Sequence, residues 1–179
     1  MTTVTALTFS ATPYVLNGQT IARLPAETSK ALPSRGQVAV KGSVNGTSFV
    51  AVLEPDGDWG HWLRITEDLQ KAGVGANKEA SFEISPTKEW PEPQVPDDFA
   101  KGLKEAPQKV KDKWADITPM ARWEWIRWVN ATGNNETRAV RIEKSVSKLN
   151  GSHRRPCCFN LAACTDPTLS KSGRLIGIV

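Results

Sequence analysis

Prolines at positions 86, 91, 93 and 96 crowd the stretch between Ser85 and Pro96. Each removes a backbone donor and fixes φ, so this span excludes regular helix or a central strand and favours an extended connection. The 179-residue chain is therefore expected to divide there, into residues 1–88 and residues 89–179. The two parts differ in charge as well as in pattern. Residues 1–90 carry 8 Lys/Arg against 9 Asp/Glu, a net of −1, whereas residues 91–179 carry 15 against 10, a net of +5. An anionic partner would be sought on the second part.

The first part alternates as strands do. Val38, Val40 and Val44 precede Asn45-Gly46, and Phe49, Ala51 and Leu53 follow it. Asn-Gly suits the left-handed conformations of a type I′ turn, so a β-hairpin is predicted. A second turn is expected at Asp56-Gly57, leading into His61–Ile65, and Ala80, Phe82 and Ile84 mark a further strand. Arg23-Leu24-Pro25-Ala26-Glu27 matches Arg64-Ile65-Thr66-Glu67-Asp68 at an offset of 41 residues, and Lys30-Ala31 matches Lys71-Ala72. Two copies of a strand, a short helix and another strand predict a small duplicated (double-split) β-barrel.

The second part reads as three to four helices, which makes the chain α+β. Pro96 followed by Asp97 and Asp98 opens the first, and Pro107 opens the next, with Val110, Trp114 and Ile117 at helical spacing. Thr118-Pro119 is an N-cap with proline behind it, starting a helix to about Val129 that is rich in tryptophan. After Thr132-Gly133-Asn134-Asn135 a fourth helix presents Ala139, Ile142, Val146 and Leu149 on one face. Beyond Gly151 an irregular tail is expected, with a strand near Leu175–Val179.

Several segments resemble a known family. Val95-Pro96-Asp97-Asp98-Phe99, Thr118-Pro119, Trp125-Ile126-Arg127-Trp128, Glu136-Thr137-Arg138, Arg141-Ile142-Glu143-Lys144 and Arg154-Arg155-Pro156-Cys157-Cys158-Phe159 are similar to the YdeI/OmpD-associated, bacteriocin-protection family. Leu24-Pro25, Val44-Asn45-Gly46 and Gly57-Asp58 through His61-Leu63-Arg64 resemble the barrel domain of unknown function that commonly precedes it. That barrel is similar in architecture to those of the AbrB/MazE type. The resemblance implies protection against antimicrobial peptides or other envelope stress.

Candidate chemistry is sparse. Trp59, His61, Trp62 and Arg64 around the Asp56–Trp62 turn form a candidate ligand-binding group, an aromatic wall with an imidazole beside it. The alternative is a structural histidine beside core aromatics. Arg138, Arg141, Lys144 and Lys148 recur at spacings of three and four, with Arg154 and Arg155 beyond them, as a candidate anion-binding stripe. Such stripes are commonly solvated helix faces with local acidic partners. Adjacent Cys157-Cys158 point apart in most backbones, so no metal is expected at His153, Cys157, Cys158 and Cys164, although Arg154 and Arg155 could sensitise a thiol to oxidation.

No Gly-rich phosphate loop, Ser/His/Asp order or paired-carboxylate site is visible, so neither a catalytic residue nor a cofactor is expected. No signal peptide and no apolar run of membrane-spanning length is recognisable, which points to a cytoplasmic location. The expected function is a non-enzymatic stress or resistance protein that binds or sequesters a small toxic ligand or an antimicrobial peptide. A nucleic-acid-associated regulator with an AbrB-like barrel is the alternative, disfavoured because the barrel is net acidic. A homodimer is a further partner that the sequence leaves open.

Overall fold

The computed structural model describes residues 5–157 and 159–178. Two compact units are present, and the chain visits the first of them three times. One unit comprises residues 5–91 together with 161–164 and 169–178; the other comprises residues 92–160, without 158, and 165–168.

The first unit is a mixed assembly built on an antiparallel sheet. Its elements are β1 (Leu7–Ala11), β2 (Tyr14–Leu16), β3 (Gln19–Arg23), α1 (Ala26–Lys30), β4 (Val38–Val44), β5 (Thr47–Pro55), β6 (His61–Arg64), α2 (Glu67–Lys71) and β7 (Ala80–Pro86). The seven strands run in the order β1-β7-β4-β5-β6-β3-β2. β1 and β2 end the ladder at its two edges, so the sheet is a curled half-barrel of seven strands, where the sequence led to the expectation of a small duplicated (double-split) β-barrel. Long β5 makes the bend, pairing with β4 along its length and with β6 only through Glu54 and Pro55.

Turn chemistry fixes the register. Asn45 (φ 50°) and Gly46 (φ 76°) join Val44 to its partner Thr47, as a type I′ turn demands. Asn17 (φ 48°) and Gly18 (φ 82°) repeat the device between Leu16 and Gln19. With register set, alternate residues fall on the concave face, and Phe9, Val38, Val40, Leu53, Leu63, Phe82 and Ile84 are buried there together. Phe9 and Phe82 are ladder partners, and their rings stack with centroids 5.2 Å apart.

The opposite face of β3 and β6 carries Ile21 and Trp62, and the tail covers both. Cys164, Leu169 and Leu175 bury against them, with a short hairpin of β8 (Ser170–Lys171) and β9 (Arg174–Leu175). Sequence grouping placed the whole tail with the helices. The difference has a physical cause: two large apolar side chains on the second face of the sheet need covering, and the tail supplies buried apolar partners beside Tyr14 and Leu16 of β2. Leu175 ends β9, so no strand runs on from it through the described residues, and Val179 lies outside them.

The second unit contains four helices among the described residues: α3 (Asp97–Glu105), α4 (Gln108–Asp116), α5 (Pro119–Asn130) and α6 (Asn135–Asn150). Their starts are chemically marked. Thr118 Oγ1 accepts from the Ala121 amide at 3.2 Å and Asn134 Oδ1 from the Thr137 amide at 2.9 Å. Pro96 and Pro107 occupy the N-cap positions, one step earlier than the sequence reading put them. Phe99, Val110, Trp125, Val129 and Leu149 are fully enclosed at the centre of this unit. Trp128 is only half-buried and Ala139 is exposed, so the packed face of α6 is narrower than expected.

Candidate functional site

The turn between β5 and β6 is built around one buried carboxylate. Asp56 Oδ1 accepts from the amides of Asp58 at 2.7 Å and Gly60 at 2.9 Å, and the Asp56 amide donates to the Gly60 carbonyl at 3.0 Å. A Cβ at Gly60 would sit 2.2 Å from Asp56 Oδ2, and one at Gly57 would sit 2.0 Å from the Gly173 carbonyl oxygen, so both positions require glycine. The tail hairpin braces the turn from that side. Leu175 donates its amide to the Asp56 carbonyl at 2.8 Å, and Arg174 pairs with Asp58 at 2.6 Å.

Held in this cradle, Trp59 adopts φ 71° and is 77% exposed. A left-handed conformation costs a non-glycine residue about 1–2 kcal/mol, and leaving an indole in water forgoes its burial energy. Both costs fall on one residue. Arg35 holds it from the other side: its Nη1 donates to the Trp59 carbonyl at 3.0 Å, and its guanidinium lies 5.9 Å from the indole centroid.

The other members of the expected aromatic wall point elsewhere. Trp62 is buried against the tail and donates its indole N–H to the Pro55 carbonyl at 3.2 Å. Arg64 lies 5.1 Å from the Trp62 centroid. His61 is buried, with Nε2 3.0 Å from the Gly36 carbonyl oxygen, while Nδ1 has no hydrogen-bond partner among the described residues. Burial pushes the imidazole below its usual pKa, against the opposing pull of the Gly36 carbonyl and the Asp56 carboxylate. Of the four sequence candidates, Trp59 is exposed, Arg64 is half-buried, and His61 and Trp62 are buried. The residue that sequence reasoning missed is Arg35, which carries no motif and meets Trp59 only through folding.

The basic stripe is spread over many partners. Arg138 pairs with Asp98 through Nε and Nη2, which draws the carboxyl down and the guanidinium up in pKa. Arg155 donates Nε to buried Glu124 at 2.7 Å, and this raises the Arg155 pKa too. Arg154 pairs with Asp116 at 2.8 Å. Arg141 donates to the Trp128 carbonyl at 2.8 Å, and both Arg141 and Lys148 lie against the Trp128 ring, at 5.5 and 5.6 Å from its centroid. Lys148 also approaches Cys157 Sγ at 3.7 Å. Lys144 is exposed. Cys158, the second thiol of the pair, lies outside the described residues.

The segment carrying Arg154 and Arg155 folds back on α5. The Trp125 indole donates to the Arg154 carbonyl at 3.0 Å, and Arg127 covers the Phe159 ring at 4.9 Å. Residues 92–151 match the family model described as bacteriocin-protection, YdeI or OmpD-associated. Over those residues the helical unit is similar to the bacteriocin-protection family. Residues 7–84 match a second model, Domain of unknown function (DUF1905), which covers the strands of the sheet unit. No curated protein matches the chain. The Arg154–Phe159 return lies beyond the matched part of the bacteriocin-protection domain, and the Trp59 turn lies inside the DUF1905 match. Among the described residues, no helix is long and apolar enough to cross a membrane.

Proposed function

We propose that the protein acts by binding rather than by catalysis, sequestering a toxic peptide or small apolar compound, and that the Trp59 turn is where the ligand lands. The observation that carries this is Trp59 itself, an indole held out in water at a positive φ by a carboxylate cradle, two obligatory glycines and an arginine clamp. A flat or apolar ligand stacking on the exposed ring removes that surface from water, and Arg35 beside it offers donors to a carbonyl or carboxylate. The family name of the helical domain agrees with a protective role.

A duplicated barrel ancestry fits the same picture. Ala22 and Leu63, equivalent under the 41-residue offset, are ladder partners, and the pairing around them is antiparallel, as a twofold axis between two copies would require. The nucleic-acid alternative has weaker support, because Arg138, Arg154 and Arg155 each already face a carboxylate.

Calorimetric titration with purified bacteriocin peptides and apolar antimicrobial compounds tests the assignment. Trp59→Ala and Arg35→Ala should each weaken whichever ligand binds by about tenfold or more, close to 1.4 kcal/mol. The Arg138→Ala/Arg141→Ala pair should leave affinity unchanged. Retained affinity in both turn variants, with loss in the arginine pair, would move the site to the helical domain.

A further inference from the structure

His61 lies directly beneath the Trp59 turn, and its hydrogen bonding ties together the two loops that present the indole. Its backbone amide donates to Ser29 Oγ at 3.1 Å, and its carbonyl accepts from the Leu24 amide at 3.0 Å, which fixes the main chain. Its Nε2 then reaches the Gly36 carbonyl at 3.0 Å. A carbonyl only accepts, so Nε2 carries the proton and Nδ1 is the bare nitrogen. Gly36 is joined by a single peptide unit to Arg35, whose guanidinium grips the Trp59 carbonyl and also reaches the Lys30 carbonyl at 3.4 Å. The Gly36 end of the clamp loop is thus tied to the position of the His61 ring.

We propose that His61 makes the Trp59 turn a proton-operated latch, closed while the imidazole is neutral and released when Nδ1 takes a second proton. The reason is geometric. Nδ1 has no hydrogen-bond partner in the present position of the ring among the described residues, so a second proton there is an unmet buried donor until the ring shifts, although the Ser34 carbonyl, like that of Gly36, favours the charged form. Of the charged groups around the ring, Arg35 repels the imidazolium and Asp56 attracts it. Asp56 is already committed to the Asp58 and Gly60 amides, with Arg23 at 3.9 Å, and Asp58 itself is paired to Arg174.

Two routes relieve the charged ring, and both loosen the turn. Rotation toward Asp56 breaks the bond to Gly36 and disturbs the amides that set the φ of Trp59. Movement toward water pulls the Ser29–Gly36 side away and carries Arg35 with it. Burial disfavours the charged form, so release occurs below the ordinary imidazole value of 6.5. Acidification would then discharge a ligand held at Trp59; that consequence rests on the binding role assigned above, whereas the latch itself does not.

Two-dimensional ¹⁵N–¹H spectra of the full chain without ligand test it, recorded from about pH 7.5 to about pH 4.5. The Trp59 indole signal is identified by its loss in Trp59→Phe. The expected result is that this signal and the Gly36 and Gly60 amides move with the midpoint of the His61 ring protons. The buried Trp125 indole should stay fixed, and His61→Gln, which keeps a donor for Gly36 but cannot charge, should abolish the movement. A Trp59 signal that ignores the His61 titration overturns the proposal, as does the same movement in His61→Gln. Collapse at the same midpoint of the amide signals of Val40 and Phe82, buried in the sheet unit itself, also overturns it, since that is unfolding and not a latch. These outcomes stand apart from the ligand titrations, so failure of either idea is recognisable on its own.

Discussion

Trp59 and Trp125 show how differently one residue type serves this chain. Trp125 is fully enclosed, and its indole N–H is satisfied by the Arg154 carbonyl. Trp125→Ala should lower the unfolding free energy by about 3–5 kcal/mol, measurable by denaturant titration. Trp59→Gly should do the opposite, raising stability by about 1 kcal/mol as the left-handed strain is relieved, while abolishing the proposed binding. A Trp59→Gly protein less stable than wild type would mean that the Arg35 stacking outweighs the strain. Within residues 119–129 the apolar pattern marks Trp125, Ile126 and Val129 as core, but Met120 is exposed and Trp123 and Trp128 are half-buried; the Trp128 ring is covered by Arg141 and Lys148, which no hydrophobic periodicity announces.

His61 belongs to the same scale. Its pKa is depressed by burial, so the folded state binds fewer protons than the unfolded one on the acid side of 6.5. The stability it permits is fully present above that value and falls as pH drops toward the folded-state pKa. Comparing melting temperatures of wild type and His61→Gln across this window should show the wild type losing stability more steeply with acid. Equal slopes would mean that the imidazole leaves the buried site without cost.

At the level of elements, caps and turns set what forms where. Thr118 both ends the approach to α5 and satisfies its first turn, so Thr118→Ala should cost about 1 kcal/mol, read from a shift in denaturation midpoint with unchanged steepness. The hairpin at Asn45-Gly46 and the start of α5 were legible because their local chemistry leaves few options. Asn17-Gly18 carries the same turn signal, but the strand before it, Tyr14–Leu16, is too short to show alternation, so no hairpin is legible there. The sheet's failure to close was not legible at all. Closure depends on whether edge strands meet across the ladder, and that is a long-range property.

For the molecule as a whole, the tail is the decisive correction. Residues 161–178 look irregular in sequence because their apolar members, Cys164, Leu169 and Leu175, follow no single period. They pack as a short hairpin on Ile21 and Trp62 and brace the Trp59 turn. Leu175→Ala should therefore destabilise the sheet unit by about 2–5 kcal/mol and leave the helical unit intact. Hydrogen exchange would report faster opening of β3 and β6 without change at α5. Uniform acceleration in both units would show that the tail serves each equally.

The route of the chain also governs the order of its birth. Because β9 returns to the sheet unit after the helices have been made, the helical domain is an insertion within the sheet unit's sequence. A nascent chain emerging from the ribosome cannot finish its first unit first. Ile21 and Trp62 wait with only Tyr14 and Leu16 beside them, and without the tail's cover, while the helices are translated, and the helical insert is the part free to fold meanwhile.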